Sequence, residues 1–136
     1  MHIFSIVKKG ASILKSLKMK TPDLDSELIL AKTLDTTRED LLINFDRKIT
    51  TRQFNLYKYY LSQRIKNKPI AYILGKKYFW KSNFFVNQDV LIPRPDTEII
   101  IEESQKKFDK NSSIRILDIG TGSGCILLSL LKEFKL

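Results

Sequence analysis

Residues 118–124 read Asp-Ile-Gly-Thr-Gly-Ser-Gly, and this stretch decides the fold. It overlaps the end of an apolar run, 114–119, that predicts a β-strand, and it precedes a helix predicted from Cys125 to about Glu133. A strand, a glycine turn and a helix in this order open a doubly wound α/β domain. Glycine is needed because the chain turns tightly there and because side chains would keep a ligand away from the backbone. The amides at the helix N-terminus would then face that ligand.

The spacing of the glycines distinguishes between ligand classes. A dinucleotide-binding turn has the pattern Gly-x-Gly-x-x-Gly, whereas here glycine occupies every second position and Cys125 stands where that pattern has its last glycine. An acid two residues before the first of these glycines resembles motif I of class I S-adenosylmethionine methyltransferases. A dinucleotide site and a purely structural turn remain as alternatives. The candidate cofactor-binding residues are Asp118, Gly120, Thr121, Gly122, Ser123 and Gly124.

A second motif points to one family. Residues 91–98 read Leu-Ile-Pro-Arg-Pro-Asp-Thr-Glu, and upstream lie Pro-Ile-Ala-Tyr-Ile-Leu-Gly at 69–75 and Phe-Trp at 79–80. This combination resembles the protein-(glutamine-N5) methyltransferase family, whose members methylate the glutamine of the Gly-Gly-Gln motif in peptide chain release factors. The resemblance covers essentially the whole chain, and 92–98 is its most specific part.

The resemblance implies a fold, a cofactor and a partner. The fold is α/β overall: an all-α helical bundle, a β-hairpin linker and the first strand, turn and helix of a Rossmann-like class I methyltransferase domain. The cofactor is S-adenosylmethionine, and the partner is a release factor, with an association with the ribosome. The resemblance also places Arg94, Pro95, Thr97 and Glu98 at the border of the cofactor and substrate pocket. Purely structural roles are the alternatives: Arg94 could form a surface ion pair with Asp96 or Glu98, and Trp80 could belong to the core of the hairpin.

The first 77 residues predict short amphipathic helices, because apolar residues recur at spacings of three and four. Thr21, Thr37 and Thr50 stand where helix N-caps are expected, and Gln53 completes a capping box with Thr50. A short further turn is expected between Pro69 and Gly75. The predicted apolar stripes are Ile3, Val7, Ala11, Leu14 and Leu17, then Leu24, Leu28, Ala31 and Leu34, then Leu41 and Leu42, and finally Phe54, Tyr57, Leu61 and Ile65.

The pattern changes after this bundle. Residues 78–92 predict a hairpin, with Asn-Gln-Asp at 87–89 as the turn between two aromatic or β-branched runs. Asp96 is expected to cap a helix that continues through Phe108. The predicted domains are therefore a helical substrate-recognition domain at 1–77, a hairpin linker at 78–95 and the start of an S-adenosylmethionine-dependent methyltransferase domain at 96–136.

Part of the family pattern is missing from the 136 residues. The family's catalytic Asn-Pro-Pro-Tyr motif is absent, because the prolines are Pro22, Pro69, Pro93 and Pro95 and no two are adjacent. The acid that holds the cofactor ribose would lie after Leu136, as would the parallel partners of strand 114–119. We therefore expect a truncated member with no catalytic residue of its own, an incomplete cofactor site and no activity alone.

Composition excludes several classes of protein. With 43% hydrophobic and 29% charged residues, the chain is not expected to be disordered. A single cysteine and a single histidine leave no internal disulfide and no zinc cluster. No apolar run is long enough to span a membrane and the N-terminus is unlike a signal peptide, so we expect a cytoplasmic protein without metal or membrane partners.

The charge is unevenly placed. Residues 1–80 hold 16 Lys and Arg against 7 Asp and Glu, whereas residues 81–136 hold 8 against 8. A basic face for an RNA-rich or acidic partner is one interpretation, and lysines scattered over solvated helices are the other.

Other functions stay open. A related methyltransferase could act on a ribosomal-protein glutamine or on a nucleic-acid amine. A non-catalytic basic module could bind the release factor or the ribosome. A nicotinamide-dependent oxidoreductase fits the glycine spacing least.

Overall fold

A computed structural model describes residues 1–111 and 113–134 and divides the chain into two compact units, Met1–Leu74 and Gly75–Leu136. Ser112, Lys135 and Leu136, which fall in the predicted 96–136 domain, lie outside the described residues. The described order of elements agrees with the predicted fold class. The first unit holds helices α1 (Ile3–Ser16), α2 (Pro22–Leu34), α3 (Arg38–Ile43), α4 (Thr51–Ile65) and α5 (Ile70–Leu74). The second holds strands β1 (Lys76–Phe79) and β2 (Ser82–Phe85), a 3-10 helix (Pro95–Glu98), α6 (Ile99–Lys107) and α7 (Cys125–Glu133).

Local capping explains where two helices of the first unit begin. The Thr37 side chain accepts a hydrogen bond from the Asp40 amide at the start of α3. At the start of α4, Thr50 Oγ1 accepts from the Gln53 amide at 3.2 Å, and Gln53 Oε1 accepts from the Thr50 amide at 2.9 Å. Both predictions are confirmed. Thr21 is the N-cap residue of α2, but its hydroxyl donates to Asp25 Oδ1 instead of capping an amide.

The buried face of α2 differs from the predicted apolar stripe. Ala31 of that stripe is buried, but Leu24 is exposed and Leu28 and Leu34 are only partly buried. The buried positions are Asp25, Ser26, Ile29, Leu30, Ala31 and Thr33. Hydrogen bonds to other helices explain the difference, because they draw the polar side of α2 inward.

Ser26 is the centre of one such contact. Its Oγ donates to the backbone oxygen of Val7 at 2.8 Å and lies 2.7 Å from the hydroxyl of Tyr57. Gly10 leaves the room for it, because a Cβ there would stand 1.9 Å from Tyr57 Oη and 2.6 Å from Ser26 Oγ. This buried contact joins α1, α2 and α4.

The hairpin lies earlier than predicted. Strands β1 and β2 pair in antiparallel register from Lys76↔Phe85 to Phe79↔Ser82, so the turn is Trp80-Lys81. The predicted turn at 87–89 is wrong: Asn87 Oδ1 accepts from the Asp89 amide, and this local turn is not flanked by paired strands. The chain reverses at Trp80, whose φ of 54° places it in the left-handed region that few residues other than glycine enter.

The predicted strand 114–119 is not formed among the described residues. Ile114 and Ile116 pack against the apolar core of the second unit, whereas Leu117 and Ile119 are 84% and 87% exposed. The alternation expected of a strand is therefore kept. A strand also needs a neighbour to bond with, and the part of the chain that is described pairs no segment with this one.

The helices of the second unit are close to expectation. The prediction of a helix over Cys125–Glu133 is confirmed by α7. The segment predicted as one helix from Asp96 through Phe108 consists of the 3-10 helix followed by α6. Asp96 lies inside the 3-10 helix and is not its N-cap, because Pro95 already occupies the first helical position. No helix within 1–111 and 113–134 is long and apolar enough to cross a membrane.

Candidate cofactor site

The glycine turn adopts a conformation that favours glycine at three positions. The φ angles of Gly120, Gly122 and Gly124 are 79°, 57° and 75°, all in the left-handed region. Among the described residues, a Cβ at Gly120 would meet no atom within 4 Å, and one at Gly122 would meet only the Gly120 oxygen at 4.0 Å. At these two positions glycine is therefore required by the backbone, and the surrounding space is open to a ligand.

The turn leads directly into α7. The Gly124 amide donates to the Thr121 oxygen, and the Gly124 oxygen accepts from the Leu128 amide, both at 2.9 Å. The N-cap residue of α7 is Gly124, which has no side chain that could cap the first amides of the helix. Uncapped amides at a helix N-terminus carry partial positive charge and attract an anionic or electron-rich group.

Asp118 presents a carboxylate oxygen with a free lone pair. Its Oδ2 is buried and accepts no hydrogen bond within the described part of the chain. A buried polar atom without a partner costs free energy, so this position favours a ligand that brings a donor. S-adenosylmethionine carries ribose hydroxyls and an ammonium group as donors, and a carboxylate suited to the α7 amides. The residues of the turn therefore fit the expected cofactor.

A groove adjoins one side of the turn. It has a volume of about 640 Å³ and includes Gly122 and Ser123. Asp118 and the Arg94–Glu98 segment are not in its wall. The other lining residues come from the hairpin, the segment after it and α7: Ser82, Asn83, Phe84, Phe85, Asn87, Val90, Leu128, Leu131 and Lys132.

The structure gives the Arg94–Glu98 segment a geometry that the motif did not suggest. Arg94 is exposed, and among the described residues it forms no ion pair, so the alternative pairing with Asp96 or Glu98 is absent. Pro95 is exposed and Thr97 half-buried, with the Thr97 amide donating to the Arg94 oxygen at 3.0 Å. Glu98 faces the hairpin, where its Oε1 accepts from the backbone amide of Trp80 at 2.8 Å.

Glu133 is a polar centre that sequence reasoning missed. Its Oε1 accepts from Trp80 Nε1 at 2.7 Å and from Lys81 Nζ at 2.6 Å, and its Oε2 accepts from Gln105 Nε2 at 2.7 Å. The hydrogen bond from Lys81, with that from Trp80, holds the pKa of this carboxyl below its ordinary value. No motif includes Glu133, which looks in the sequence like the charged end of an amphipathic helix.

The described residues offer no metal centre. Within 1–111 and 113–134, no three His, Cys, Asp or Glu side chains come close enough to hold a metal ion. The thiol of Cys125 is free and buried at the first position of α7. It contributes to the apolar core that Phe79, Phe84 and Leu130 also form.

Comparison with known proteins identifies the family. The family model described as "PrmC N-terminal domain" matches residues 5–75. A protein of Leptospira interrogans named release factor glutamine methyltransferase is 42% identical over 129 residues, covering 94% of this chain and 45% of the relative. The protein of that name from Coxiella burnetii is 44% identical over 114 residues, covering 84% of this chain and 41% of the relative. A protein of Rickettsia bellii named bifunctional methyltransferase is 34% identical over 157 residues, covering 96% of this chain and 28% of the relative.

The chain thus spans less than half the length of these curated relatives. The match covers both the helical unit and the glycine turn, and it agrees with the resemblance carried by residues 69–75 and 91–98. The chain therefore belongs to the release factor glutamine methyltransferase family, and residues 5–75 are its PrmC N-terminal domain.

Proposed function

We propose that the glycine turn Asp118–Gly124 contacts S-adenosylmethionine, and that the chain is part of a methyltransferase acting on the glutamine of release factors. The observation that carries this proposal is the turn itself. Three alternating glycines have positive φ, and the buried Asp118 Oδ2 beside them accepts no hydrogen bond from the described residues. Membership of the methyltransferase family supports the choice of cofactor.

Each part of the turn has its own proposed role. Asp118 accepts a hydrogen bond from a cofactor hydroxyl or ammonium group, and the first amides of α7 face the cofactor carboxylate. Gly120 and Gly122 let the ligand lie against the backbone. Thr121 and Ser123 supply hydroxyls at the rim. Arg94, Pro95, Thr97 and Glu98 are proposed to border the cofactor and substrate pocket on the strength of the family resemblance, since none of them lines the groove beside Gly122.

The bound cofactor supplies an electrophilic methyl group on a sulfonium. The residues present here contribute by binding and orienting, which accelerates a transfer reaction mainly through alignment. The Asn-Pro-Pro-Tyr motif that holds the substrate amide in the family does not occur in residues 1–136. We therefore propose that these residues alone do not catalyse methyl transfer.

The helical unit is proposed to recognise the release factor. The relatives named release factor glutamine methyltransferase support this, as does the excess of 16 basic over 7 acidic side chains in residues 1–80. Such an excess steers an acidic or RNA-bound partner toward the surface. The reaction would take place in the cytoplasm.

A titration followed by NMR tests the cofactor proposal. The chain has five glycines, so their amide signals can be assigned and followed separately. Added S-adenosylmethionine should shift Gly120, Gly122 and Gly124 but not Gly10 or Gly75, with a dissociation constant on the order of 1 mM because the ribose acid is not among these residues. NAD should cause no such shift.

Two variants sharpen the titration. Asp118→Asn should reduce the cofactor-induced shifts, whereas Asp109→Asn, in an exposed loop, should leave them unchanged. Absence of any shift at the glycine turn at 10 mM cofactor would contradict the proposal. Micromolar binding would instead show that the site is more complete than we propose.

A pull-down with a release factor tests the second role. The isolated chain should retain the release factor, and reversing the charge of basic residues on α1 should weaken capture without altering the glycine shifts. Equal capture by the charge-reversed chain would favour the interpretation that these lysines only decorate solvated helices.

A further inference from the structure

The turn of the hairpin is held from two sides. The Trp80 backbone amide donates to Glu98 Oε1 at 2.8 Å, and its indole Nε1 donates to Glu133 Oε1 at 2.7 Å. Trp80 has a φ of 54°, a conformation that is unfavourable for a bulky residue unless its surroundings maintain it. The two carboxylates provide that support.

Glu133 also accepts hydrogen bonds from two further residues. Lys81 Nζ and Gln105 Nε2 both donate to it, and the Glu133 side chain is only 9% exposed. Lys81 Nζ also lies 5.3 Å from the centre of the Trp80 ring. We name Trp80, Lys81, Glu98, Gln105 and Glu133 the turn lock. It connects the hairpin turn to the 3-10 helix, to α6 and to the C-terminal end of α7.

The turn lock bears on the glycine turn because of what lies between them. Helix α7 runs from Cys125 to Glu133, about 14 Å, and such a short helix moves as a rod. The segment before the glycine turn forms no β-ladder within the described residues. The position of the turn therefore depends on how α7 is held, and Glu133 holds its far end.

We propose that Glu133 and Trp80 are positioning residues for the glycine turn. Their hydrogen bonds connect the C-terminal end of α7 to the hairpin turn, and the hairpin turn to Glu98. They thereby determine the position of the first turn of α7 relative to the Arg94–Glu98 segment. The proposal rests on the proposed function only in taking the glycine turn as the cofactor contact. Neither residue is proposed to touch the cofactor.

The test compares variants of the whole chain by NMR. Glu133→Gln removes the charge and turns an amide nitrogen toward one of the donors, and Trp80→Phe removes the indole donor but keeps a ring. Glu103→Gln is the matched control, because Glu103 lies on α6 and its ion pair in the described part of the chain is with the exposed Lys106. Ile101→Val, in the core of the second unit, controls for simple loss of stability.

Without cofactor, Glu133→Gln and Trp80→Phe should shift the amide signals of Gly120, Gly122 and Gly124 but not that of Gly10. In both control variants, all of these signals should remain as in the parent chain. With S-adenosylmethionine, the two lock variants should bind about tenfold more weakly, which is within the usual range for coupling between a binding site and a residue that does not touch the ligand. Ile101→Val should lower the melting temperature without changing the affinity.

Unchanged glycine signals in a folded Glu133→Gln or Trp80→Phe chain would overturn the proposal. The two variants give independent readings, so failure of one to fold leaves the other to decide. If S-adenosylmethionine shifts no signal in any chain, the proposed function fails, and the glycine signals recorded without cofactor still decide whether the lock positions the turn.

Discussion

Arg64 Nε donates to Asp25 Oδ2 at 2.7 Å inside the helical unit, where the two side chains are 16% and 2% exposed. The pair joins α4 to α2. Thr21 Oγ1 donates to the second carboxylate oxygen at 3.0 Å, and Arg64 Nη1 donates to the Lys68 oxygen at 3.1 Å. Both charged groups are therefore satisfied by several bonds, and this is the arrangement in which removal of one partner is most costly.

Asp25→Ala should destabilise the helical unit by about 3 kcal/mol, because it leaves the half-buried guanidinium without its counter-charge. Asp23→Ala is the control: Asp23 is 59% exposed and lies 3.5 Å from Lys8, so its loss should cost less than about 0.5 kcal/mol. Urea unfolding followed by circular dichroism measures both. Equal losses in the two variants would show that the buried pair contributes no more than a surface pair.

Helix α2 also shows why its buried face could not be predicted. Its start was predicted from Thr21 at the N-cap position, which is a property of the chain over a few residues. Its orientation depends on Asp25 and Ser26, whose partners lie 39 and 31 residues away at Arg64 and Tyr57. Apolar periodicity contains no information about such bonds, so the predicted stripe only overlaps the buried face: Ala31 is buried, whereas Leu24 is exposed.

Gly10→Ala should destabilise the chain although alanine favours helices by about 1 kcal/mol over glycine. The new Cβ would lie 1.9 Å from Tyr57 Oη, so α1 must move away from α4, at a cost of about 1–3 kcal/mol or more. Adding Tyr57→Phe removes the clashing oxygen and should recover part of the loss. Thermal unfolding of the single and double variants tests this, and a stabilised Gly10→Ala chain would contradict it.

In the hairpin and the glycine turn, too, the features that depend on neighbouring residues were predicted and those that depend on distant residues were not. The glycines at 120, 122 and 124 occupy left-handed positions where the sequence predicted a tight turn, although their role toward a cofactor stays a prediction. The left-handed position at Trp80 was missed because tryptophan is not a turn former. Its support comes from Glu98 and Glu133, which are 18 and 53 residues away. Strand 114–119 was predicted from its own residues, but a strand forms only with a partner.

Acid should weaken the second unit through Glu133. The hydrogen bond from Lys81 lowers the pKa of this carboxyl in the folded chain, so the stabilisation it provides is present above the ordinary glutamate range and is lost as pH falls through the lowered pKa. Trp80, the single tryptophan of the chain, reports the change because its indole donates to Glu133. Its fluorescence should change with a midpoint below the ordinary glutamate range.

Glu133→Gln should abolish that fluorescence transition, and Glu103→Gln should preserve it. Lys81 is exposed, so added salt should move the transition to higher pH by screening the ion pair. An identical acid profile in the parent chain and in Glu133→Gln would mean that another group controls the Trp80 environment.

Ser129→Ala should stabilise the second unit. The hydroxyl of Ser129 is buried on α7 and has no hydrogen-bond partner among the described residues, so it is desolvated without compensation. Ser129→Ala replaces the unpaired buried hydroxyl by a hydrogen atom and so removes that penalty, and alanine is also the better helix former, for a gain of about 1 kcal/mol. Ser104→Ala on α6 is the control, since its exposed hydroxyl donates to the Ile100 oxygen and its removal should change stability by less than about 0.5 kcal/mol. Thermal unfolding monitored through Trp80 measures the stability of both variants. A gain in stability confined to Ser129→Ala is expected if the Ser129 hydroxyl is unpaired. A loss of stability would instead show that this oxygen forms a hydrogen bond in solution.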